Sequence, residues 1–165
     1  MYRYEKNNKN DCVLLKFDRL AEKNNIEHCF TTRVGGVSEG ACDSLNMSFK
    51  RDTNRANVTE NIRRVAVACN VPFESVTMVP QVHAGDVKVI SSDDVGRGVS
   101  REAFDNGYDA MVTNVKVVTL ATIHGDCIPV FLYDEKSESV GMIHSGWRST
   151  HAGISANAVS AMAEN

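Results

Sequence analysis

The chain has 165 residues, enough for one compact domain that buries about 70% of the surface of its unfolded form. Hydrophobic residues make up 42% and charged residues 24%, which is typical of a globular protein, and the net charge of −3 argues against the basic surface that nucleic-acid binders need. The polar amino terminus is unlike a signal peptide, and no apolar run approaches the roughly 18 residues of a membrane span, so no membrane association is expected.

The cysteines of the chain are scattered and form no Cys-x-x-Cys pair: Cys12, Cys29, Cys42, Cys69 and Cys127. An odd number without close pairs argues against a disulfide framework. Reduced thiols are typical of the cytoplasm, so the sequence predicts a cytoplasmic protein.

Two predicted strands, residues 12–17 and 26–31, lead into a loop that contains Arg33, Gly35 and Gly36. Adjacent glycines let backbone N–H groups converge on an anion, and an arginine would add a charge that binds it in a fork. The same residues also suit a plain turn. Both interpretations stay open on the sequence alone.

A helix is predicted over residues 54–69, because apolar side chains recur there at intervals of four, three and four: Val58, Ile62, Val65 and Cys69. Cys69 is therefore expected in the core. Asp52 or Thr53 is expected to cap the helix, since a side-chain oxygen can accept from its first N–H groups.

Further strands are predicted at residues 76–79, 87–90, 110–113 and 117–123, so strands outnumber helices. A polar segment, residues 91–107, is predicted to be the longest loop, and residues 151–162 are predicted to form a helix. Strands that follow one another directly are typical of an α+β fold with mixed sheets packed against helices. No linker or repeat divides the sequence, so a single domain over residues 1–165 is expected.

A β-hairpin is predicted near the carboxyl end of the chain. Residues 128–133 and 140–143 are apolar and rich in β-branched side chains, and the polar residues 134–137 suit the turn. In an antiparallel pair the start of one strand lies beside the end of the other. Cys127 and His144 are therefore expected to be neighbours.

Three residues with metal-binding side chains stand at predicted strand ends beside turn formers: His83, Cys127 and His144. Two imidazoles and a thiolate suit Zn²⁺ and leave a fourth position for water. A histidine beside an apolar strand is more often a structural residue, so that interpretation also stays open. A third interpretation is a Cys127 nucleophile activated by His144, with Asp126 orienting the imidazole.

Five motifs in this order resemble one known family: TTRxGGxS at 31–38, SLN at 44–46, QVH at 81–83, GDCxP at 125–129 and HxGWRxT at 144–150. The set resembles the laccase-domain family, also called multicopper polyphenol oxidoreductases, whose members have been reassigned as purine nucleoside phosphorylases. The resemblance covers the chain from about residue 12 onward.

The resemblance implies the fold of that family and a Zn²⁺, in preference to copper, held by His83, Cys127 and His144. It implies phosphorolysis of adenosine, inosine, guanosine and methylthioadenosine, with adenosine deamination as a second activity. The partners would be a purine nucleoside and phosphate. Together with Arg148, the same trio would be catalytic, and the expected substrate-binding residues are Arg33, Asn46 and Arg148. Family members are longer, so this chain is expected to lack their carboxyl-terminal part.

Three neighbours of the trio carry separate expectations. His124 stands where the family often has another residue, and it raises the possibility of a further group near the metal. Trp147 is expected to be a core plug beneath the site. Arg148 is expected to bind an anion, because guanidinium binds phosphate in a fork.

A multicopper oxidase needs about ten histidines and the chain has five, so polyphenol oxidation is not expected. A blue-copper site would need a weak axial ligand, and Met142 is expected to point away from His144. A metal-free cysteine hydrolase that uses Cys127 and His144 is one alternative. A non-catalytic binding module is another.

Overall fold

A computed structural model describes residues 1–165, which form two compact units, Met1–Phe73 and Glu74–Asn165. Nine strands in three sheets and four α-helices confirm the predicted α+β class with mixed sheets. None of the helices combines the length and the apolar character that crossing a bilayer requires.

The first unit contains an antiparallel sheet in the order β1 (Tyr2–Lys6), β2 (Val13–Phe17) and β3 (Phe30–Thr31). The prediction for residues 12–17 is confirmed, whereas the strand predicted over 26–31 is limited to its last two residues. β1 was not predicted because all five of its side chains are exposed, so it has no apolar face to reveal it.

Two helices complete the first unit, α1 (Asp18–Ala21) and α2 (Arg55–Ala68). The predicted caps of α2 were wrong: Asn54 is the N-cap, and its side chain accepts from the N–H of Ala56. Asp52 acts one step earlier, accepting from the N–H of Asn54 at 2.9 Å. The core of this unit contains Cys12, Leu14, Leu45 and Cys69, which confirms the buried position predicted for Cys69.

The second unit contains a four-stranded sheet in the order β5 (Val87–Val89), β6 (Ala110–Thr113), β9 (Ser139–Ser145) and β8 (Ile128–Asp134). β5 and β6 are parallel, while β9 is antiparallel to both β6 and β8. All four side chains of β6 are buried, as expected of a strand in the middle of a sheet.

A second sheet of this unit is a short parallel pair, β4 (Val76–Thr77) and β7 (Thr119–Leu120). The strands predicted over 76–79 and 117–123 are therefore longer than the observed ones, because apolar character continues past the last ladder hydrogen bond. Residues 91–107 form a loop as predicted, with one 3₁₀ turn at Ser92–Asp94.

The predicted hairpin is confirmed, with β8 and β9 paired so that Pro129 lies opposite His144. This register places Cys127, the residue before β8, beside the end of β9. The helix predicted over 151–162 is two helices, α3 (Trp147–His151) and α4 (Ile154–Glu164).

Gly153 separates these two helices, because its φ of 76° is a left-handed conformation that a continuous helix cannot contain. The buried side of α4 contains Ile154 and Ala158, which pack with Ala110, Val112 and Ile143 of the sheet. Val159 of the same helix is 54% exposed.

Candidate metal centre

The second unit brings His83, Cys127 and His144 together. Their ligand atoms all lie within 4.8 Å of one another, and Cys127 Sγ is 3.8 Å from His83 Nε2. The two imidazole rings meet edge to face, with centroids 4.8 Å apart. His144 is buried, Cys127 is half-buried and His83 is exposed, so the trio opens to solvent on the side of His83.

The donor set of the trio, and the separation of one of its pairs, match a tetrahedral zinc ion. Zinc bonds of about 2.0–2.1 Å to nitrogen and 2.3 Å to sulfur place two such ligand atoms about 3.6 Å apart. The separation between Cys127 and His83 is within a few tenths of an ångström of that value. Three protein ligands with one open position are typical of a catalytic zinc site, whereas structural sites are closed by four.

A buried carboxylate, Asp109, holds both histidines in place. Its Oδ1 accepts from Nδ1 of His144 at 2.7 Å, which leaves Nε2 of His144 for a metal. Its Oδ2 accepts from the N–H groups of Val82 and Ala84 at 3.2 and 2.7 Å, on either side of His83. His83 has a φ of 62°, a strained conformation for a residue with a side chain, and these two bonds fix it.

The same contacts keep Asp109 ionised. Burial raises the pKa of its carboxyl group, but hydrogen bonds from His144 and from the N–H groups of Ala84, His83 and Val82 together outweigh that effect. The pKa of Asp109 therefore lies below its ordinary value, and the carboxylate can accept from His144 across the neutral range.

Gly146 is needed where β9 turns into α3. A Cβ atom at this position would lie 2.9 Å from Cys127 Sγ and 3.0 Å from His83 Cδ2, so any side chain would displace both ligands. Ser149 fixes the turn, because its hydroxyl accepts from the N–H of Gly146 at 2.9 Å and donates to the carbonyl of His144 at 3.0 Å.

Gln81 joins the segment of His83 to the segment that leads to Cys127. Its side-chain amide donates to the carbonyl of Ile123 at 2.8 Å and accepts from the N–H of Ile123 at 2.7 Å. This two-point contact holds the two ligand-bearing segments in a fixed register.

His124 lies beside the trio, with its ring centroid 5.2 Å from that of His144. Both of its nitrogens contact protein atoms, Nε2 with Thr122 Oγ1 at 2.8 Å and Nδ1 with the carbonyl of Cys127 at 3.2 Å. In this arrangement His124 supports the segment of Cys127 and offers no atom to a metal. Burial lowers its pKa to about 4.

Several expectations about neighbouring residues were wrong. Trp147 is 72% exposed, because it follows the turn at Gly146 and begins a surface helix, so it is not a core plug. Met142 shares a face of β9 with His144, since side chains two positions apart in a strand point the same way. The carboxylate that orients His144 is Asp109, whereas Asp126 is exposed.

Arg148 is exposed, and its guanidinium carbon lies 4.4 Å from the ring centroid of Trp147. Stacking on an indole holds a guanidinium in position while leaving its N–H groups at the edge of the plane. The anion-binding role of Arg148 stays a prediction.

Arg33 and Asn46 lie in loops of the first unit. Nε of Arg33 donates to the carbonyl of Asp43 at 3.0 Å, and its Nη2 also contacts that oxygen. The carbonyl of Asn46 accepts from the amide of Asn61, which is completely buried. The substrate-binding roles of Arg33 and Asn46 stay predictions.

The loop of adjacent glycines is closely packed. The N–H of Gly36 donates to Ser44 Oγ at 3.2 Å, and the N–H of Val37 donates to Asn61 Oδ1 at 2.8 Å. A Cβ atom at Gly36 would lie 2.0 Å from the carbonyl oxygen of Ser44. Close approach of two backbone segments accounts for this glycine.

Comparison with known proteins adds to this geometry. Residues 27–165 match the family model described as multi-copper polyphenol oxidoreductase laccase. The chain is 35% identical over 130 residues to a protein of Geobacillus stearothermophilus named purine nucleoside phosphorylase YlmD, covering 78% of this chain and 47% of that protein. It is 33% identical over 140 residues to the Escherichia coli purine nucleoside phosphorylase YfiH, covering 85% and 54%.

Similar folds and a human relative are also found. The crystal structure of YlmD from Geobacillus stearothermophilus matches with a TM-score of 0.81 and 29% identity, covering 92% of this chain and 55% of that one. The human purine nucleoside phosphorylase LACC1 is 32% identical over 138 residues, covering 82% of this chain and 30% of that protein. The chain thus spans about half the length of its bacterial relatives.

Proposed function

This chain belongs to the multi-copper polyphenol oxidoreductase laccase family, and from that premise we propose that it is a zinc-dependent purine nucleoside phosphorylase. The observation that carries the proposal is the convergence of His83, Cys127 and His144 on one point. The names of the relatives support the reaction class, because three of them are called purine nucleoside phosphorylases.

In the proposed reaction, phosphate attacks the anomeric carbon of a purine nucleoside and the bond to the base breaks. The products are the free purine and ribose 1-phosphate. In the proposed second activity, water replaces the amino group of adenosine, giving inosine and ammonia. A bound zinc ion would supply Lewis acidity and lower the pKa of a water molecule.

The residues of the chain would supply positioning and charge. Asp109 orients the imidazole of His144 and fixes the turn of His83, so the metal ligands are preorganised. Arg148 would bind phosphate through its exposed N–H groups. The exposed side of His83 would give substrate access to the open position of the metal.

Zinc is preferred to copper for two reasons. Two histidines and one cysteine with an open position match the ligand count of catalytic zinc sites. The copper centres of a multicopper oxidase need about ten histidines, and the chain has five. Strong visible absorption after addition of Cu(II) would favour copper instead.

A cysteine hydrolase is the second candidate, and one observation favours it. Asp109 and His144 form a buried hydrogen-bonded pair next to the thiol of Cys127, an arrangement also found in enzymes with an activated cysteine. Such an enzyme would be inactivated by thiol alkylation and would be insensitive to chelators.

The proposal is tested by incubating the purified chain with inosine and phosphate and following release of hypoxanthine. Activity that depends on phosphate, is lost on treatment with a chelator and returns with added zinc is the expected result. Hydrolysis of inosine without a phosphate requirement, or full activity of the metal-free protein, would contradict the proposal. The same assay with adenosine and methylthioadenosine would define the range of nucleoside substrates.

A further inference from the structure

Two cysteines of the first unit lie in direct contact and have no part in the proposed function. The Sγ of Cys69 donates to the Sγ of Cys29 at 3.2 Å, although the two residues are 40 positions apart in sequence. Cys29 immediately precedes β3, and Cys69 is the C-cap of α2. We propose that this pair is a redox-responsive dithiol, a modification site that hydrogen peroxide converts reversibly into a disulfide.

The two sulfurs differ in access and in acidity. As a whole residue Cys29 is half-buried, whereas Cys69 is 8% exposed, so residue 29 has the larger fraction of its surface in solvent. The hydrogen bond from Cys69 lowers the pKa of Cys29 and outweighs the opposing effect of burial. The same bond, together with burial, raises the pKa of Cys69. Cys29 is therefore the thiolate that attacks, and Cys69 is the thiol that resolves the product.

The chemistry has two steps. The thiolate of Cys29 attacks one oxygen of hydrogen peroxide and becomes a sulfenic acid, and the other oxygen leaves as hydroxide and takes up a proton as water. The sulfur of Cys69 then attacks the sulfur of Cys29, its proton and the sulfenic hydroxyl leave as a second water, and the S–S bond forms. Two thiols are oxidised by two electrons, and one peroxide is reduced to two waters.

The other thiols of this unit are held differently, which makes the pairing specific. Cys12 belongs to the same core cluster, but its Sγ contacts the carbonyl of Gly35 at 3.6 Å. Cys42 contacts the carbonyl of Arg51 at 3.6 Å, outside that cluster. Each of these two sulfurs therefore has a backbone carbonyl as its hydrogen-bond acceptor, whereas Cys69 donates to a sulfur.

A bond between Cys29 and Cys69 would tie the strand that leads to Arg33 to the end of α2. Closing a long loop of this kind restricts the unfolded chain, so the oxidised protein should melt at a higher temperature than the reduced one. The candidate metal ligands lie in the other unit.

The experiment is peptide mapping of the full chain after brief exposure to hydrogen peroxide and alkylation of the remaining thiols. Trypsin places each of the five cysteines in a separate peptide, with Cys29 in residues 24–33 and Cys69 in residues 65–88. A linked 24–33/65–88 pair, about 2 Da lighter than the sum of the reduced peptides and lost on reduction, is the expected result. Full alkylation of both thiols after oxidation, or linkage of either one to Cys12, would overturn the proposal.

Thermal melting gives a second readout. Oxidation should raise the Tm of the unmodified chain by several degrees, and the rise should be absent in Cys29→Ser and retained in the control Cys42→Ser. A rise of equal size in Cys29→Ser would overturn the proposal. If Cys29→Ser does not fold, the peptide map of the unmodified chain decides.

Discussion

The carboxylate of Asp109 accepts a hydrogen bond from Nδ1 of His144 at 2.7 Å, and both side chains are almost fully buried. The bond sets the tautomer of the imidazole, because a proton fixed on Nδ1 leaves the lone pair on Nε2. The second oxygen of the same carboxylate holds the backbone around His83. One acid therefore positions two of the three candidate metal ligands.

Replacing this acid should weaken metal binding. In Asp109→Asn the side chain is neutral, and only its amide oxygen can still accept a hydrogen bond. Its NH₂ group cannot accept, so the contact with either His144 or the backbone N–H groups is lost. The affinity for zinc should fall by about 10–100-fold. Competition with a chromophoric chelator measures the change. Asp105→Asn, an exposed acid nearby, is the control, and equal affinity in the two variants would remove the positioning role of Asp109.

Two glycines beside the ligands offer a matched comparison. Gly146→Ala places a methyl group 2.9 Å from the sulfur of Cys127, so the ligands must move apart and zinc binding should be lost or strongly weakened. At Gly125 nothing lies within 4 Å of the added atom, so Gly125→Ala should bind zinc like the unmodified chain. The same competition assay applies. Unchanged binding by Gly146→Ala would show that the trio is not the metal site.

The sequence predicted the three candidate ligands of this site but not the carboxylate beside them. Cys127 and His144 are found because a hairpin joins them, and a hairpin is a local pattern. Asp109 is 35 positions from His144, and their contact depends on the pairing of β6 with β9, which no local pattern encodes. The one available signal was an acid directly before the apolar residues 110–112 of β6.

The fold shows the same division between local and long-range information. The helix α2 has a strong apolar period and was predicted to within a residue or two, whereas two-residue strands such as β4 have no period to detect. Trp147 was misplaced because its apolar character predicted burial. Its exposure is set by the turn at Gly146.

Arg148→Lys should separate the two proposed reactions. A lysine keeps the charge but loses the fork geometry, at a cost of about 1.5–3 kcal/mol for each charge-assisted hydrogen bond to phosphate. The KM for phosphate in phosphorolysis should rise, while adenosine deamination, which uses water, should change much less. Steady-state kinetics of both reactions is the measurement, with Arg101→Lys as the control. Equal loss of both activities would make Arg148 a support of the metal centre.

His28 should make stability depend on pH. Its Nε2 accepts from the N–H of Phe17 at 2.8 Å, and burial, followed by the charge of Lys16, lowers its pKa. Between the folded pKa and the ordinary histidine pKa of about 6.5, the unfolded chain binds a proton that the folded chain does not. Within this window His28 therefore lowers the free energy of unfolding as the pH falls.

The free energy of unfolding, measured by urea denaturation between mildly acidic and neutral pH, should therefore rise with pH. In His28→Gln the amide oxygen can still accept from Phe17 but does not titrate, so the slope should be shallower. The comparison cancels the contributions of other titrating groups. Identical slopes in the two proteins would exclude His28 as their source.

The most direct test of the metal centre is elemental analysis of the chain purified without chelator, beside Cys127→Ala. We predict about one zinc per unmodified chain and almost none in Cys127→Ala, with circular dichroism showing that the variant is folded. Cys127 is half-buried at the edge of the site, so its removal should cost the metal and not the fold. A zinc-free or copper-loaded unmodified chain, or full zinc content in Cys127→Ala, would contradict the assignment.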